Sequence, residues 1–177
     1  MTQVTYQQTR NNIRADKARY GTWRHAGFWV TFCYRVRRLR KFGGGLWKLL
    51  LPLDILLELS RMLVSDTKIP SSMDVGAGLY LPHPTGVVIN DSAVIGANVN
   101  LFQQVTLGEW HGKSPVLEDG CELFAGARAF GDVRIGSGAK IGANTIIQKD
   151  VPANYVAYTD ATKMRPRLDV QPDREAG

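Results

Sequence analysis

Three histidines are the residues of this 177-residue chain best suited to proton transfer: His25, His83 and His111. An imidazole ordinarily titrates at about pH 6.5, so a neutral ring is available near neutrality to take a proton from a hydroxyl. His83 stands between Pro82 and Pro84, in a stretch where a strand face calls for aliphatics. Taken by its surroundings alone, it is either a general base or a solvated structural histidine. His111 lies in the segment LGEWHGKSPVL (107–117), and His25 lies in a stretch of helical pattern. The two cysteines, Cys33 and Cys121, are far apart in sequence. That excludes a disulfide-stapled mini-protein and a Cys-rich zinc module, and suits a reducing compartment.

The element that must position His83 is a repeat. Aliphatics recur every six residues at Ile69, Val75 and Leu81 and, after two extra residues, at Ile89, Ile95, Leu101 and Leu107. A loop of about nine residues intervenes, and the period resumes at Leu117, Leu123, Ala129, Ile135, Ile141 and Ile147. Twelve of these thirteen positions are Ile, Val or Leu, where chance gives about three, so the period is a property of the fold. Three residues after each aliphatic of the second array stand Gly120, Gly126, Asp132, Gly138, Asn144 and Asp150, types that tolerate left-handed turns. Next come small or β-branched residues: Cys121, Ala127, Val133, Ala139, Thr145 and Val151. Short strands separated by turns, with aliphatics stacked inward, describe a parallel β-solenoid; thirteen hexads at three per turn give about four coils. Cys121 falls in the inward pattern and reads as a small core hydrophobe.

Residues 1–64 form a separate helical segment by composition. They carry 12 Lys/Arg and 3 Asp/Glu, a net +9, against −3 for residues 65–177. Trp23, Phe28, Trp29, Phe32, Val36 and Leu39 recur at helical spacing, and RVRRLRK (35–41) concentrates the positive charge. Gly43, Gly44 and Gly45 end this helix. A second is expected over 46–63, kinked at Pro52. Such helices cap the solenoid, form an oligomer contact, or lie on a membrane surface. The apolar stretch 46–64 is interrupted by Lys48, Pro52, Asp54, Glu58 and Arg61 and makes a poor membrane span. The opening MTQVTYQQTRNN has no apolar run of the signal-peptide type. Domains are therefore expected at 1–64 (helical), 65–157 (solenoid) and 158–177 (a polar, proline-containing tail).

The hexads and the segment LPHPTGVVINDSAVIGANVNLFQQVTLG (81–108) resemble the hexapeptide-repeat acyltransferases. Among these the chain is most similar to the serine acetyltransferases and their relatives in exopolysaccharide and capsule biosynthesis. The likeness covers about 65–157 and includes the phase shift after His83. It extends weakly to CYRVRRL in the helical segment. The resemblance implies a left-handed parallel β-helix preceded by helices, assembled as a homotrimer or a dimer of trimers. Active sites would lie between neighbouring solenoids, with acetyl-CoA as co-substrate and no metal. It places the family's catalytic histidine on His83, and the coenzyme contacts on Gly108, Ala125, Lys140 and Ala143. His111 is either a contact at a neighbour's site, as an oxyanion donor or acceptor contact, or an ornament of the loop.

The implied reaction moves an acetyl group from a thioester to an alcohol. The alcohol must lose its proton as it attacks, and negative charge on the thioester oxygen must be stabilised. In the serine-specific family an aspartate pairs with the histidine, and an acid precedes it to hold the amino acid. The matching positions here are Lys68 and Pro82. These differences point to a sugar hydroxyl of a surface polysaccharide as the acceptor, with L-serine as the alternative. Two further readings use the same fold: a trimeric carbonic-anhydrase-like zinc enzyme, for which only His83 and His111 fall in the solenoid, and a silent scaffold docked by its helices. The expected station is the cytoplasm, with the inner face of the membrane as its alternative, and no nucleic-acid partner.

Overall fold

The computed structural model describes residues 4–159. Three helices precede the solenoid: α1 (Tyr6–Tyr20), α2 (Ala26–Phe42) and α3 (Leu51–Val64), with a 3₁₀ turn at Gly45–Leu50. α1 lies ahead of the apolar pattern that starts at Trp23. Thr5 caps α1 by accepting from the Gln8 N–H, and Gly21 closes it in the left-handed conformation. His25 is structural: its Nδ1 accepts from the Gly27 N–H as the cap of α2. Pro52 does not kink the second element. It lies in the first turn of α3, where a missing N–H costs no hydrogen bond.

From Lys68 to Ala157 the chain winds through three parallel faces in turn. The first stacks Val88–Ile89, Thr106–Gly108, Arg128–Phe130 and Ile146–Ile147, with Lys68 bridging to Val88. The second stacks Asp74–Val75, Val94–Ile95, Val116–Leu117 and Arg134–Ile135, extended by Val151. The third stacks Asn100–Leu101, Glu122–Leu123, Lys140–Ile141 and Val156–Ala157, headed by Tyr80. Each face is thus four strands and one bridge deep, so there are about five coils, not the four expected. The added rungs escape the hexad count because the step from Ile147 to Val151 is four positions and not six.

All thirteen hexad aliphatics are buried in one continuous core. Cys121 lies among them, its thiol on the Ile135 and Gly136 carbonyls and pushed up to about 11 by burial. The expected left-handed turns occur at Gly120, Gly126, Gly138 and Asn144, but not at Asp132 or Asp150. At that corner Gly131 takes the role one residue earlier. Two corners are therefore regular. The corner leading from the first face to the second is irregular and carries the loop before Val116.

A parallel coil ends in unpaired backbone groups, a liability for any open edge. Here the helices satisfy them. The Asp16 carboxylate accepts from the Gly78 and Leu79 N–H groups at 2.8 and 3.1 Å. Arg35 donates to the Val75 and Gly76 carbonyls at 2.7 and 2.6 Å and pairs with Asp16 at 2.9 Å. Tyr20 Oη accepts from the Leu81 N–H, and Tyr34 Oη donates to the Met73 carbonyl. Gly27 lets α2 approach: a Cβ there would stand 2.1 Å from the Leu81 oxygen. The arginines of the basic run are paired internally, with Arg37 on Asp54 and Glu58, Arg38 on Asp74 and Arg40 on Asp54, while Lys41 stays exposed.

Two outcomes follow from this seal. Asp16→Ala strands a buried guanidinium and two amides, and is expected to cost about 3–5 kcal/mol in urea denaturation. Asp16→Ala with Arg35→Met should not recover that loss, because the backbone groups still lack partners. Recovery in the double variant would show that only the ion pair mattered. Burial raises the Glu58 carboxyl, but hydrogen bonds from Arg61 and Arg37 outweigh it and hold it at about 2 against an ordinary 4.5. A depressed acid contributes stability above its unfolded value and loses it as pH falls. Amide exchange in α3 should therefore rise between about pH 4.5 and 2, and Glu58→Gln should remove that dependence.

Candidate active site

The two extra residues in the hexad array are His83 and Pro84. Pro82 lies in register with Phe102, and Thr85 with Gln103, whose neighbour Gln104 donates its N–H to the Thr85 carbonyl at 2.9 Å. The bulge pushes the His83 side chain into the open at the corner where the third face passes to the first. Two contacts from the stretch after α3 hold the bulge. Ser65 Oγ donates to the Pro84 carbonyl, and the Asp66 carboxylate accepts from the Gly86 N–H at 2.8 Å. Among the described residues no side chain hydrogen-bonds the His83 ring.

Ala125 and Ala143 stand on this same corner, two and three coils along. The Gly126 N–H donates to Gln103 and the Asn144 N–H to Ala125, so the turns stack in a column. Gly126 and Asn144 take left-handed conformations there, φ 72° and 55°. Beyond Gln103 and Gln104 of the intervening coil, the methyl side chains of Ala125 and Ala143 leave this edge shallow. Lys140 lies beside it on the third face, where its Nζ bonds Glu122 at 2.8 Å and, with that bond as the leading cause, holds the Glu122 carboxyl below the usual range.

The other expected residues sit elsewhere. Gly108 ends a strand at the irregular corner, under the Phe130 ring, and a Cβ would stand 2.4 Å from that ring. His111 is exposed at the tip of a hairpin in which Trp110 and Lys113 exchange backbone hydrogen bonds of 2.9 and 3.1 Å. His111 and Gly112 both have positive φ, as such a two-residue turn requires. A groove beside the hairpin is lined by Glu109, Trp110, Phe130, Gly131, Asp132 and Gln148. The whole width of the first face separates His83 from His111, so one chain does not bring them together.

Two residues at the His83 corner were missed. Asp66 stands two residues before Lys68, the position that matches the family aspartate, yet the bulge brings Gly86 to it. Gln103 has a buried Oε1 with no donor among the described residues. Its place in register beneath the phase shift was the available signal. No cluster of three or more His, Cys, Asp or Glu is arranged to hold a metal among the described residues.

No family model matches the chain. The serine acetyltransferase of Escherichia coli K12 is 37% identical over 106 residues, covering 57% of this chain and 37% of that enzyme. The structure of Neisseria gonorrhoeae serine acetyltransferase in complex with serine superposes with a TM-score of 0.68 and 30% identity, covering 85% of this chain and 66% of that one. A serine acetyltransferase in complex with CoA gives a TM-score of 0.67 at 25% identity, covering 86% and 66%. The chain thus spans from about a third to two thirds of these proteins.

If Asp66 anchors the bulge, Asp66→Ala should speed amide exchange at Gly86 about fivefold, the worth of one hydrogen bond of about 1 kcal/mol. Exchange at Ile95 and Leu101 should not change. An unaltered Gly86 rate would show that the bulge holds without it.

Proposed function

We propose, on the chain's similarity to serine acetyltransferases, that it moves an acetyl group from acetyl-CoA to a hydroxyl. The observation that carries this is the His83 bulge, an exposed imidazole set at a coil corner above the stacked turns that carry Ala125 and Ala143. His83 takes the proton of the attacking hydroxyl. The shallow edge at Ala125 and Ala143 receives the pantetheine arm, and the Lys140 ammonium, although shared with Glu122, faces the phosphates. Gly108 and His111 belong to a different corner. They serve the site as part of a neighbouring copy in a homotrimer, with Gly108 lining the opposite wall and His111 offering a donor to the thioester oxygen.

L-Serine is the favoured acceptor, ahead of the sugar expected from the sequence. The relatives are named serine acetyltransferases, and one neighbour is a complex with serine. Asp66 also puts a carboxylate at the bulge, which suits an amino acid's ammonium. A sugar hydroxyl is the second reading, favoured by Lys68 and Pro82 standing where the family carries acids.

Release of the CoA thiol, followed with L-serine and with sugar acceptors, tests both. Release should depend on millimolar L-serine, and His83→Ala should slow it by about 10²–10⁴-fold. A full rate in His83→Ala overturns the mechanism. A response to sugars alone replaces the acceptor and keeps the base.

A further inference from the structure

The helix α3 is built inside out. Its ionisable side chains, Asp54, Glu58 and Arg61, turn inward: Asp54 and Glu58 meet Arg37 and Arg40 of α2, and Arg61 pairs with Glu58 and donates to the Ser65 and Thr67 carbonyls. Its outward side carries no charge. Leu53, Ile55, Leu56, Leu59, Met62 and Leu63 are exposed there, Leu63 at 90%, and the 3₁₀ turn adds Leu46 and Leu49 at 74% each. A water-facing helix normally has the reverse pattern, and an apolar patch of this extent marks a contact surface.

The charge around it says what kind of surface it contacts. The only acids in residues 1–64 are Asp16, Asp54 and Glu58, and each is bound to arginine. The exposed charges of the helical segment are therefore all positive: Arg10, Arg14, Lys17, Arg24, Lys41 and Lys48, the last lying in the 3₁₀ turn that runs into α3. An uncharged apolar face on a segment whose exposed charges are all positive is complementary to an anionic lipid bilayer. A second copy offers the same positive charge, so a face-to-face self-contact sets like charges against each other. No helix among the described residues is long and apolar enough to cross a membrane. The geometry is that of a helix lying in the interface.

We propose that the outward face of α3 and the adjoining 3₁₀ turn dock this protein on the surface of an anionic membrane. The membrane is read by inserted leucines and by the exposed lysines and arginines of the same helical segment, independently of the reaction at His83.

Flotation of the full chain with vesicles of equal parts phosphatidylglycerol and phosphatidylcholine tests this. The chain should float with them, and roughly tenfold less with phosphatidylcholine alone or in raised salt. The variant L56E/L59E/L63E alters only outward side chains and should stay in the soluble fraction with its circular dichroism unchanged. K41E/K48E leaves the apolar face intact and should float measurably less. Failure of the wild-type chain to float, or equal flotation of L56E/L59E/L63E, overturns the proposal. A fall in particle mass in L56E/L59E/L63E, without flotation of the wild type, would assign the face to another protein copy.

Discussion

A parallel solenoid cannot finish itself. Each coil satisfies its backbone through the coils above and below, so the first coil presents a row of unpaired groups. In this chain that edge is met by a polar plug, the Asp16–Arg35 pair with Tyr20 and Tyr34 beside it. The plug fixes α1 and α2 on the solenoid. α2 then presents Arg37 and Arg40, which draw the acids of α3 inward. The end of α3 leads directly into Ser65 and Asp66, which tie down the His83 bulge. One requirement, satisfying an open edge, thus runs through the helices to the candidate base.

The corners divide the labour. Two of them repeat the same tight left-handed turns, which keeps the column of Ala125 and Ala143 straight below His83. The third breaks the pattern, with the hairpin at His111, Gly131 in place of Asp132, and a short step to Val151. Groups that one reaction would use stand on two corners of the same prism. Copies set corner against corner would join them, which is why the proposed site is shared and why a lone solenoid would offer only half of it.

Much of this was legible in residue spacing. Hexads name inward positions because an aliphatic can stack only on another aliphatic in so narrow a core, and all thirteen are buried. The phase shift at 83–84 announced the bulge, since two residues that cannot join the ladder must leave it. The last coil was missed because its step shortens from six residues to four. The helices were legible as elements but not as partners. RVRRLRK looks like a cationic surface until Asp16, Asp54, Glu58 and Asp74 are found opposite it, and those pairings are set by tertiary packing. Asp66 likewise acquires its place only when the bulge brings Gly86 to it.

The most direct measurement of the central claim, that the His83 corner is where acetyl-CoA is used, is a crystal structure of the full chain grown with CoA. The expected result is a CoA thiol within hydrogen-bond reach of the His83 ring and a pantetheine arm along Ala125 and Ala143, with the 108–115 loop of a second copy closing the other side. CoA bound away from that corner, or a His83 ring covered by a contact that excludes the thiol, would contradict it.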